Sequence, residues 1–148
     1  MNYQKLKEEL GADEGYRTDI YLDHLGYPTV GIGHLILKTD AEYGKPVGTK
    51  ITEARVTELF MKDIETSVSD AKKLFSNFDS CSDNVQRVLV NMMFNLGYTR
   101  FSKFKNFKAA IESKNWKEAA IEGADSLWFK QVPNRAKRLM DRLKNENN

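Results

Sequence analysis

The chain has 148 residues, of which 41% are hydrophobic and 30% charged, and its formal net charge is +2. These values are typical of one globular domain and exclude disordered, collagen-like and membrane-spanning classes. The N-terminal residues lack the apolar segment of a secretory signal, and Cys81 is the single cysteine. We therefore expect synthesis in the cytoplasm and no internal disulfide.

The first predicted elements are a short helix and a small sheet. Gly11 is predicted to end a helix whose apolar residues recur at helical spacing: Tyr3, Leu6 and Leu10. Alternating apolar and polar residues between Arg17 and Leu37, with a tight turn around residues 25–28, then predict two or three short strands. This is the one predicted β region.

The remainder of the chain is predicted to be helical. Thr52 is a candidate N-cap for a long helix, and Ser82 is a candidate N-cap for a strongly apolar helix. Shorter helices are predicted around residues 107–111 and 116–121, and Pro133 fits the first turn of a last helix. The fold class predicted from these elements is α+β, mainly α.

We expect residues 1–148 to form a single domain with two lobes. The β-containing lobe is predicted over approximately residues 13–60, and the helical lobe over residues 1–12 and 75–148. The helix at 52–74 is predicted to connect them. Two lobes usually mean a cleft, which is where functional side chains are expected.

Charge is distributed unevenly along the chain. Residues 1–74 carry 10 Lys and Arg against 13 Asp and Glu, whereas residues 75–148 carry 13 against 8. A basic C-terminal segment favours an anionic polymer, either nucleic acid or an acidic wall glycan. A solvated helix face is the simpler interpretation of the same residues.

Glu14 and Asp23 are candidates for acid–base chemistry because each lies at the boundary of a predicted element, where a side chain projects into a cleft. Glycoside hydrolysis needs one protonated carboxyl to donate to the departing oxygen and one carboxylate to orient a water. The Thr29 hydroxyl is a candidate for positioning the same water. Spacing alone does not decide the assignment, since many acidic residues are simply solvated.

Other chemistries have less support in the sequence. His34 is a candidate base or metal ligand, although a histidine closing an apolar strand is more often packed and hydrogen-bonded. One further histidine and one cysteine make a zinc site improbable. The phosphate-binding loop and the Gly-x-Ser-x-Gly elbow are absent. We therefore predict no metal and no cofactor.

A longer pattern carries a family resemblance. Its central part is Glu14-Gly15-x-Arg17, then Tyr21-x-Asp23, then Gly26-Tyr27-x-Thr29-x-Gly31-x-Gly33-His34. Further matching segments follow in order at residues 59–63, 91–97, 116–120 and 128–138. This pattern resembles the phage-type lysozymes, the endolysins of glycoside hydrolase family 24, over nearly the full chain. The resemblance implies a lysozyme-like fold.

The resemblance also implies a reaction. Glu14 matches the family's general acid, Asp23 the carboxylate that orients or activates water, and Thr29 a hydroxyl partner on the far face of the sugar. The implied activity is hydrolysis of the β-1,4 bond between N-acetylmuramic acid and N-acetylglucosamine in peptidoglycan, with inversion. Inversion requires the two carboxyl groups to lie about 6.5–9.5 Å apart, leaving room for water.

Further roles are implied by position within the matching segments. Those matched to substrate binding are Leu35, Phe94, Asn95 and Arg135. Arg135 is expected to pair with Glu14, and His34 is expected to form a structural salt bridge with Asp63. Asn95 is shorter than the glutamine that a similar member of the family has there, so we expect an altered hydrogen bond near Trp128.

The implied role is lysis of a bacterial host and release of phage. Peptidoglycan glycan strands are the expected partner, with no nucleic acid and no stable membrane association, and the chain is expected to be monomeric. It is expected to be made in the host cytoplasm and to act in the periplasm or wall after a holin permeabilises the membrane. Alternatives are a lytic transglycosylase, a wall-binding protein without activity, and a nucleic-acid-binding protein using the basic residues 130–144.

Overall fold

The structure is a computed structural model that describes residues 1–147. Over these residues the chain forms eight α-helices, one short 3₁₀ helix and one three-stranded sheet. The predicted α+β, mainly α, class is therefore confirmed. No helix in this part of the chain combines the length and the apolar content needed to cross a bilayer.

The helices occupy most of the chain. Their bounds are α1 Tyr3–Glu14, α2 Glu53–Leu74, α3 Asp83–Leu96, α4 Tyr98–Phe101, α5 Lys105–Glu112, α6 Trp116–Ala124, α7 Leu127–Gln131 and α8 Pro133–Lys144, with the 3₁₀ helix at Phe78–Ser80. The short α4 and α7 were not predicted, since four or five residues are too few to show a helical period.

The predicted end of the first helix is wrong. α1 continues through Gly11 for three more residues, and Glu14 is its last residue rather than the residue after it. Gly15 has a positive φ of 76° and its N–H donates to the carbonyl of Gly11 at 3.0 Å. Glycine adopts this backbone conformation readily, so the helix ends at the second glycine instead of the first.

The sheet agrees with the strand prediction. Its strands are β1 Arg17–Leu22, β2 Pro28–Gly31 and β3 His34–Leu35, all antiparallel and in sequence order. In the register, Tyr21 pairs with Thr29, and Thr29 pairs with Leu35. Because register partners project from the same face of a sheet, these three side chains form one row across the strands.

The two predicted N-caps are confirmed. Thr52 Oγ1 accepts a hydrogen bond from the Arg55 N–H at 3.1 Å at the start of α2, and Ser82 Oγ accepts from the Val85 N–H at 3.2 Å at the start of α3. Each bond satisfies an N–H that has no partner inside the helix. Pro133 is the first residue of α8, as its missing N–H allows.

The chain divides into two compact units. The sheet unit is Lys7–Glu65, and the helical unit is Met1–Leu6 together with the chain from Thr66 onward. The sheet unit has a small core of Ile20, Val30 and Leu59, all at most 1% exposed, with Ile36 and Ile51 packed against it. This core holds β1 and β2 to the first part of α2.

The helical unit has a larger core with an aromatic centre. Phe75 contacts Phe101 and Phe107 with ring centroids 5.4 and 6.2 Å apart, and Phe104 contacts both of these at 5.5 and 6.3 Å. α3 is buried at ten positions, as its wide apolar arc predicts. The aromatic residues of this segment therefore stabilise the core rather than forming an exposed stacking surface.

Candidate active site

Asp23 directly follows β1 and organises the turn to β2. Its Oδ1 accepts hydrogen bonds from the N–H groups of Leu25 and Tyr27, both at 2.9 Å, and its own N–H donates to the Tyr27 carbonyl at 2.9 Å. Asp is suited to this position because its short side chain bonds to the backbone of the residues that follow it. The hydrogen bonds to Oδ1 therefore fix the orientation of the Asp23 carboxylate.

Thr29 is held to the same residue of the turn. Its hydroxyl donates to the Tyr27 carbonyl at 2.9 Å, and the side chain is only 5% exposed. A hydroxyl that donates its proton keeps lone pairs on oxygen as acceptors. Within residues 1–147, Asp23 Oδ2 accepts no hydrogen bond. The turn thus fixes a carboxylate and a hydroxyl group, each of which keeps oxygen lone pairs that can accept a further hydrogen bond.

Glu14 lies at the end of α1, where its carboxyl group packs against Gly33. A Cβ added to Gly33 would lie 2.1 Å from Glu14 Oε2 and 2.8 Å from Cδ, so only glycine leaves space for this carboxyl group. Gly33 also has a positive φ of 65°. The glycine between β2 and β3 therefore helps to set the position of Glu14.

Tyr21 lies near both candidate carboxyl groups. Burial raises the pKa of the Tyr21 phenol, and the negative charges of Glu14 and Asp23 raise it further. The Arg17 guanidinium lies 4.4 Å from the centre of the Tyr21 ring and forms an ion pair with Asp19 at 2.7 Å. The ends of α1 and β1 thus bring Glu14 and Asp23 into the electrostatic range of one aromatic side chain.

Leu35 is the third member of the row that contains Tyr21 and Thr29. It is 48% exposed, whereas Thr29 is 5% exposed. An exposed leucine beside a buried hydroxyl is typical of binding sites, which combine apolar walls with a few polar groups. The structure places the predicted residues Thr29 and Leu35 in one sheet, with Asp23 in the turn that joins its first two strands.

His34 is buried between two carboxylates of the sheet unit. Its Nδ1 lies 2.6 Å from Asp63 Oδ2, and its Nε2 lies 2.7 Å from Asp40 Oδ2. Asp40 also accepts the N–H of Leu37 at 2.7 Å. Within residues 1–147, no three or more His, Cys, Asp or Glu side chains are arranged to hold a metal ion. The geometry of His34 is that of a structural ion pair with two partners.

The two carboxylates change the protonation of His34. Burial, the largest single influence, lowers the pKa of His34, but the hydrogen bonds and charges of Asp63 and Asp40 together raise it above its ordinary value. Burial likewise raises the pKa of Asp40, but bonds from Leu37 N–H and His34 outweigh it and lower that pKa overall. The cluster therefore favours a protonated His34 beside an ionised Asp40.

The substitution Asp40→Asn tests this cluster. We expect a loss of about 2 kcal/mol in the free energy of unfolding, because the buried hydrogen bond between two charged groups loses the charge of one partner. His34 stabilises the fold below its ordinary pKa of 6.5 and loses this effect as pH rises through its raised pKa. Asp40 stabilises the fold above its ordinary pKa of 3.8 and loses the effect on acidification. Urea unfolding should therefore show that the free energy of unfolding of Asp40→Asn is well below that of the wild type at about pH 5. The difference should be smaller at about pH 9.

The matched control is Asp79→Asn, because Asp79 is 84% exposed and its pair with Lys72 is 3.6 Å long. An exposed pair of this kind contributes at most about 1 kcal/mol. A deficit for Asp40→Asn that is equal at both pH values would contradict the assignment of a charged His34.

The remaining predicted residues belong to the helical unit. Asn95 Oδ1 accepts a hydrogen bond from Trp128 Nε1 at 2.7 Å, so the shorter amide still reaches the indole. Phe94, which precedes it near the end of α3, is half-buried. Arg135 is 8% exposed, and its Nε donates to Asn91 Oδ1 at 2.9 Å. These contacts orient Trp128 and Arg135 from α3.

Two residues of the sheet unit were not among the predicted site residues. Asp40 lies in a polar loop without periodicity, so the sequence contains no signal that it reaches His34. Tyr27 contributes through its backbone, which binds both Asp23 and Thr29, and side-chain patterns do not report such contacts. The Gly-Tyr-Pro turn itself was the available signal for this second feature.

Comparison with known proteins places this geometry in context. A family model described as phage lysozyme matches residues 11–146. The probable T4-type lysozyme 2 of Dictyostelium discoideum is 34% identical, with 91% of each chain covered. The pre-baseplate central spike protein of Enterobacteria phage T4 is also 34% identical, over 90% of this chain and 26% of that protein. The endolysin of Salmonella phage P22 is 30% identical, over 74% of this chain and 79% of its own length.

Proposed function

This chain belongs to the phage lysozyme family, and from that membership we propose that it hydrolyses bacterial peptidoglycan. The proposed bond is the β-1,4 bond between N-acetylmuramic acid and N-acetylglucosamine, and the proposed outcome at the anomeric carbon is inversion. We propose that residues 1–148 act as one lysozyme-like domain.

The observation that carries the proposal is the turn between β1 and β2. Asp23 Oδ1 and the Thr29 hydroxyl proton are both bound to the backbone of Tyr27, at 2.9 Å. Asp23 Oδ2 and the acceptor lone pairs of Thr29 remain to bind a water from two sides. A preorganised pair of acceptors costs little reorganisation when the water reacts.

The proposed reaction begins with Glu14 as the general acid. Glu14 donates a proton to the glycosidic oxygen while the bond from that oxygen to the anomeric carbon breaks. The water held by Asp23 and Thr29 adds its oxygen to the anomeric carbon from the opposite face. Its proton passes to the Asp23 carboxylate, and exchange with solvent restores both groups.

Inversion follows from a single displacement with the nucleophilic water on the face opposite the leaving group. This arrangement requires the Glu14 and Asp23 carboxyl groups to lie about 6.5–9.5 Å apart, because closer groups leave no room for water. Asp23 is suited to a base rather than a nucleophile, since Oδ1 is held by two N–H groups. A bound carboxylate of this kind orients a small molecule well.

Glycan binding is proposed for four further residues: Leu35, Phe94, Asn95 and Arg135. Leu35 offers an exposed apolar side chain beside Thr29. The hydrogen bonds Asn95–Trp128 and Arg135–Asn91 hold the polar groups of the helical unit in fixed orientations. His34 and Asp63 are proposed as a structural salt bridge, with Asp40 as its second carboxylate.

The biological role that we propose is that of an endolysin, which lyses the host cell and releases phage. The endolysin of phage P22 supports this role because the likeness extends over 79% of that protein. In this proposal the chain is a monomer that is made in the host cytoplasm, needs a holin to reach the wall, and binds neither nucleic acid nor a membrane stably.

Product analysis tests the reaction. We expect the chain to release reducing ends from purified peptidoglycan, with the product initially in the anomeric configuration opposite to that of the substrate bond. Reducing-end chemistry measures hydrolysis, mass spectrometry identifies anhydro-sugars, and proton NMR during the first turnovers identifies the anomer.

The outcomes separate the candidate functions. Anhydro-sugar ends without reducing ends would show transglycosylase chemistry, in which no water is held by Asp23. Retention of configuration would contradict the single displacement but not the hydrolysis. Binding to walls without either product would show a wall-binding protein, and the proposed function would be wrong.

A further inference from the structure

A groove lies on the helical unit between α6, α7 and α8. It encloses about 450 Å³, and its floor is apolar, with the side chains of Ala120, Ile121, Ala124, Phe129 and Met140. Ile121 is 60% exposed, so its apolar side chain is accessible to a molecule in the groove. This volume lies within the range of sites that bind small organic molecules.

The groove forms because small residues bring α6 and α8 together. A Cβ added to Gly123 would lie 2.2 Å from Met140 Sδ, so the helices approach closely at this glycine. Ala120 and Ala124 are four residues apart and therefore share one face of α6. Their short side chains leave the adjacent space between the helices unfilled, and the groove is the consequence.

The rim of the groove is positively charged. Three lysines line it, Lys117, Lys137 and Lys144, against the single carboxylate of Asp141. Asp141 accepts a hydrogen bond from Lys137 at 2.9 Å, so this acid is already paired. Lys117 and Lys144 form no ion pair within the part of the chain that the structure describes. The ammonium groups of Lys117 and Lys144 can therefore bind an anion beside the apolar floor of the groove.

We propose that this groove binds a single-chain anionic amphiphile of the fatty-acid class. The alkyl chain would lie along the floor over Ile121 and Met140, and the carboxylate would lie between Lys117 and Lys144. Charge complementarity selects a negative head group. The concave shape favours one monomer over a bilayer, because a flat lipid surface does not fill a groove.

Calorimetric titration of the full chain with decanoate, below its micelle concentration, tests the site. We expect one decanoate per chain and weaker binding of octanoate, by about fourfold for each methylene removed. Decyltrimethylammonium and decyl maltoside have the same alkyl chain with a cationic and a neutral head group. We expect neither to bind as tightly as decanoate, and added salt should weaken decanoate binding.

Two variants locate the site. Ile121→Glu places a charge on the floor and should abolish decanoate binding, while Lys117→Ala should weaken it about two- to fivefold. Both side chains are exposed, so the fold should be retained, as circular dichroism can verify. The control is Lys105→Ala on α5, an exposed lysine that does not line the groove, and it should have no effect.

Three results would overturn the proposal. Equal binding of decanoate and decyltrimethylammonium would show that the lysines do not select the head group. Unchanged binding by folded Ile121→Glu would place the ligand elsewhere. Binding to phosphatidylglycerol vesicles with no binding of monomeric decanoate would show a bilayer-binding surface instead. None of these results depends on peptidoglycan hydrolysis.

Discussion

Replacement of Glu14 by glutamine is expected to lower kcat for release of reducing ends by a factor of about 10²–10⁴, because the amide cannot donate a proton to the departing oxygen. The change alters neither the length nor the shape of the side chain, so its packing against Gly33 is retained. The measurement is steady-state hydrolysis of purified peptidoglycan by wild type and variant at matched concentrations.

The matched control for this experiment is Glu53→Gln. Glu53 is an exposed glutamate in the first turn of α2, in the same unit as Glu14. We expect full activity from this variant and an unchanged KM. If Glu14→Gln hydrolysed peptidoglycan at the wild-type rate while remaining folded, Glu14 would not be the general acid.

The kinetic parameter that changes, kcat or KM, distinguishes a residue that acts in catalysis from one that acts in binding. A residue that contacts substrate equally in the ground state and the transition state changes KM, whereas a proton donor changes kcat. Leu35, an exposed apolar side chain beside Thr29, belongs to the first kind in our proposal. A variant at Leu35 should therefore weaken binding, and Glu14→Gln should leave binding nearly unchanged.

Helix starts were predictable because their causes are local. Thr52 and Ser82 each satisfy an N–H three residues further along the chain, so the required information lies within one turn of helix. The apolar period of α2 and α3 is similarly local. The strands were also predictable, since alternating apolar and polar residues beside a glycine-rich turn are typical of paired β-strands.

The end of α1 was not predictable from the same rules. Gly11 and Gly15 lie only four residues apart, and glycine at either position is a suitable end for a helix. The structure extends the helix to Gly15, which brings Glu14 onto the last turn rather than into a loop. This difference matters because it fixes the backbone of the proposed acid by helical hydrogen bonds.

The motif names the residues of the proposed site but does not reveal the contacts that hold them. The motif names Asp23 and Thr29, yet it does not show that both are held by the backbone of Tyr27. Asp40 was missed because its contact with His34 depends on the path of an irregular loop. Contacts of this type depend on three-dimensional structure and leave no periodic pattern in the sequence.

The Gly33→Ala substitution tests the position of the Glu14 carboxyl group, because it moves this group without changing its chemistry. The added Cβ would lie 2.1 Å from Glu14 Oε2, so the carboxyl group must move. A misplacement of about 1 Å at a catalytic group lowers the rate by about 10²-fold, and we expect kcat/KM to fall by this factor. The positive φ of 65° should cost about 1–2 kcal/mol of stability in addition. Activity must therefore be measured at a temperature where urea titration shows the variant to be fully folded.

The control for Gly33→Ala is Gly48→Ala. Gly48 has a φ of 93°, and a Cβ built there meets no atom within 4 Å, so this variant has the same kind of backbone strain without the collision. We expect a similar loss of stability and full activity. A second test is the double variant Gly33→Ala/Glu14→Asp, in which the shorter carboxyl side chain avoids the new methyl group. Partial recovery of kcat/KM relative to Gly33→Ala would show that Gly33 acts by positioning Glu14, whereas equal activity losses in Gly33→Ala and Gly48→Ala would show that backbone strain alone is responsible.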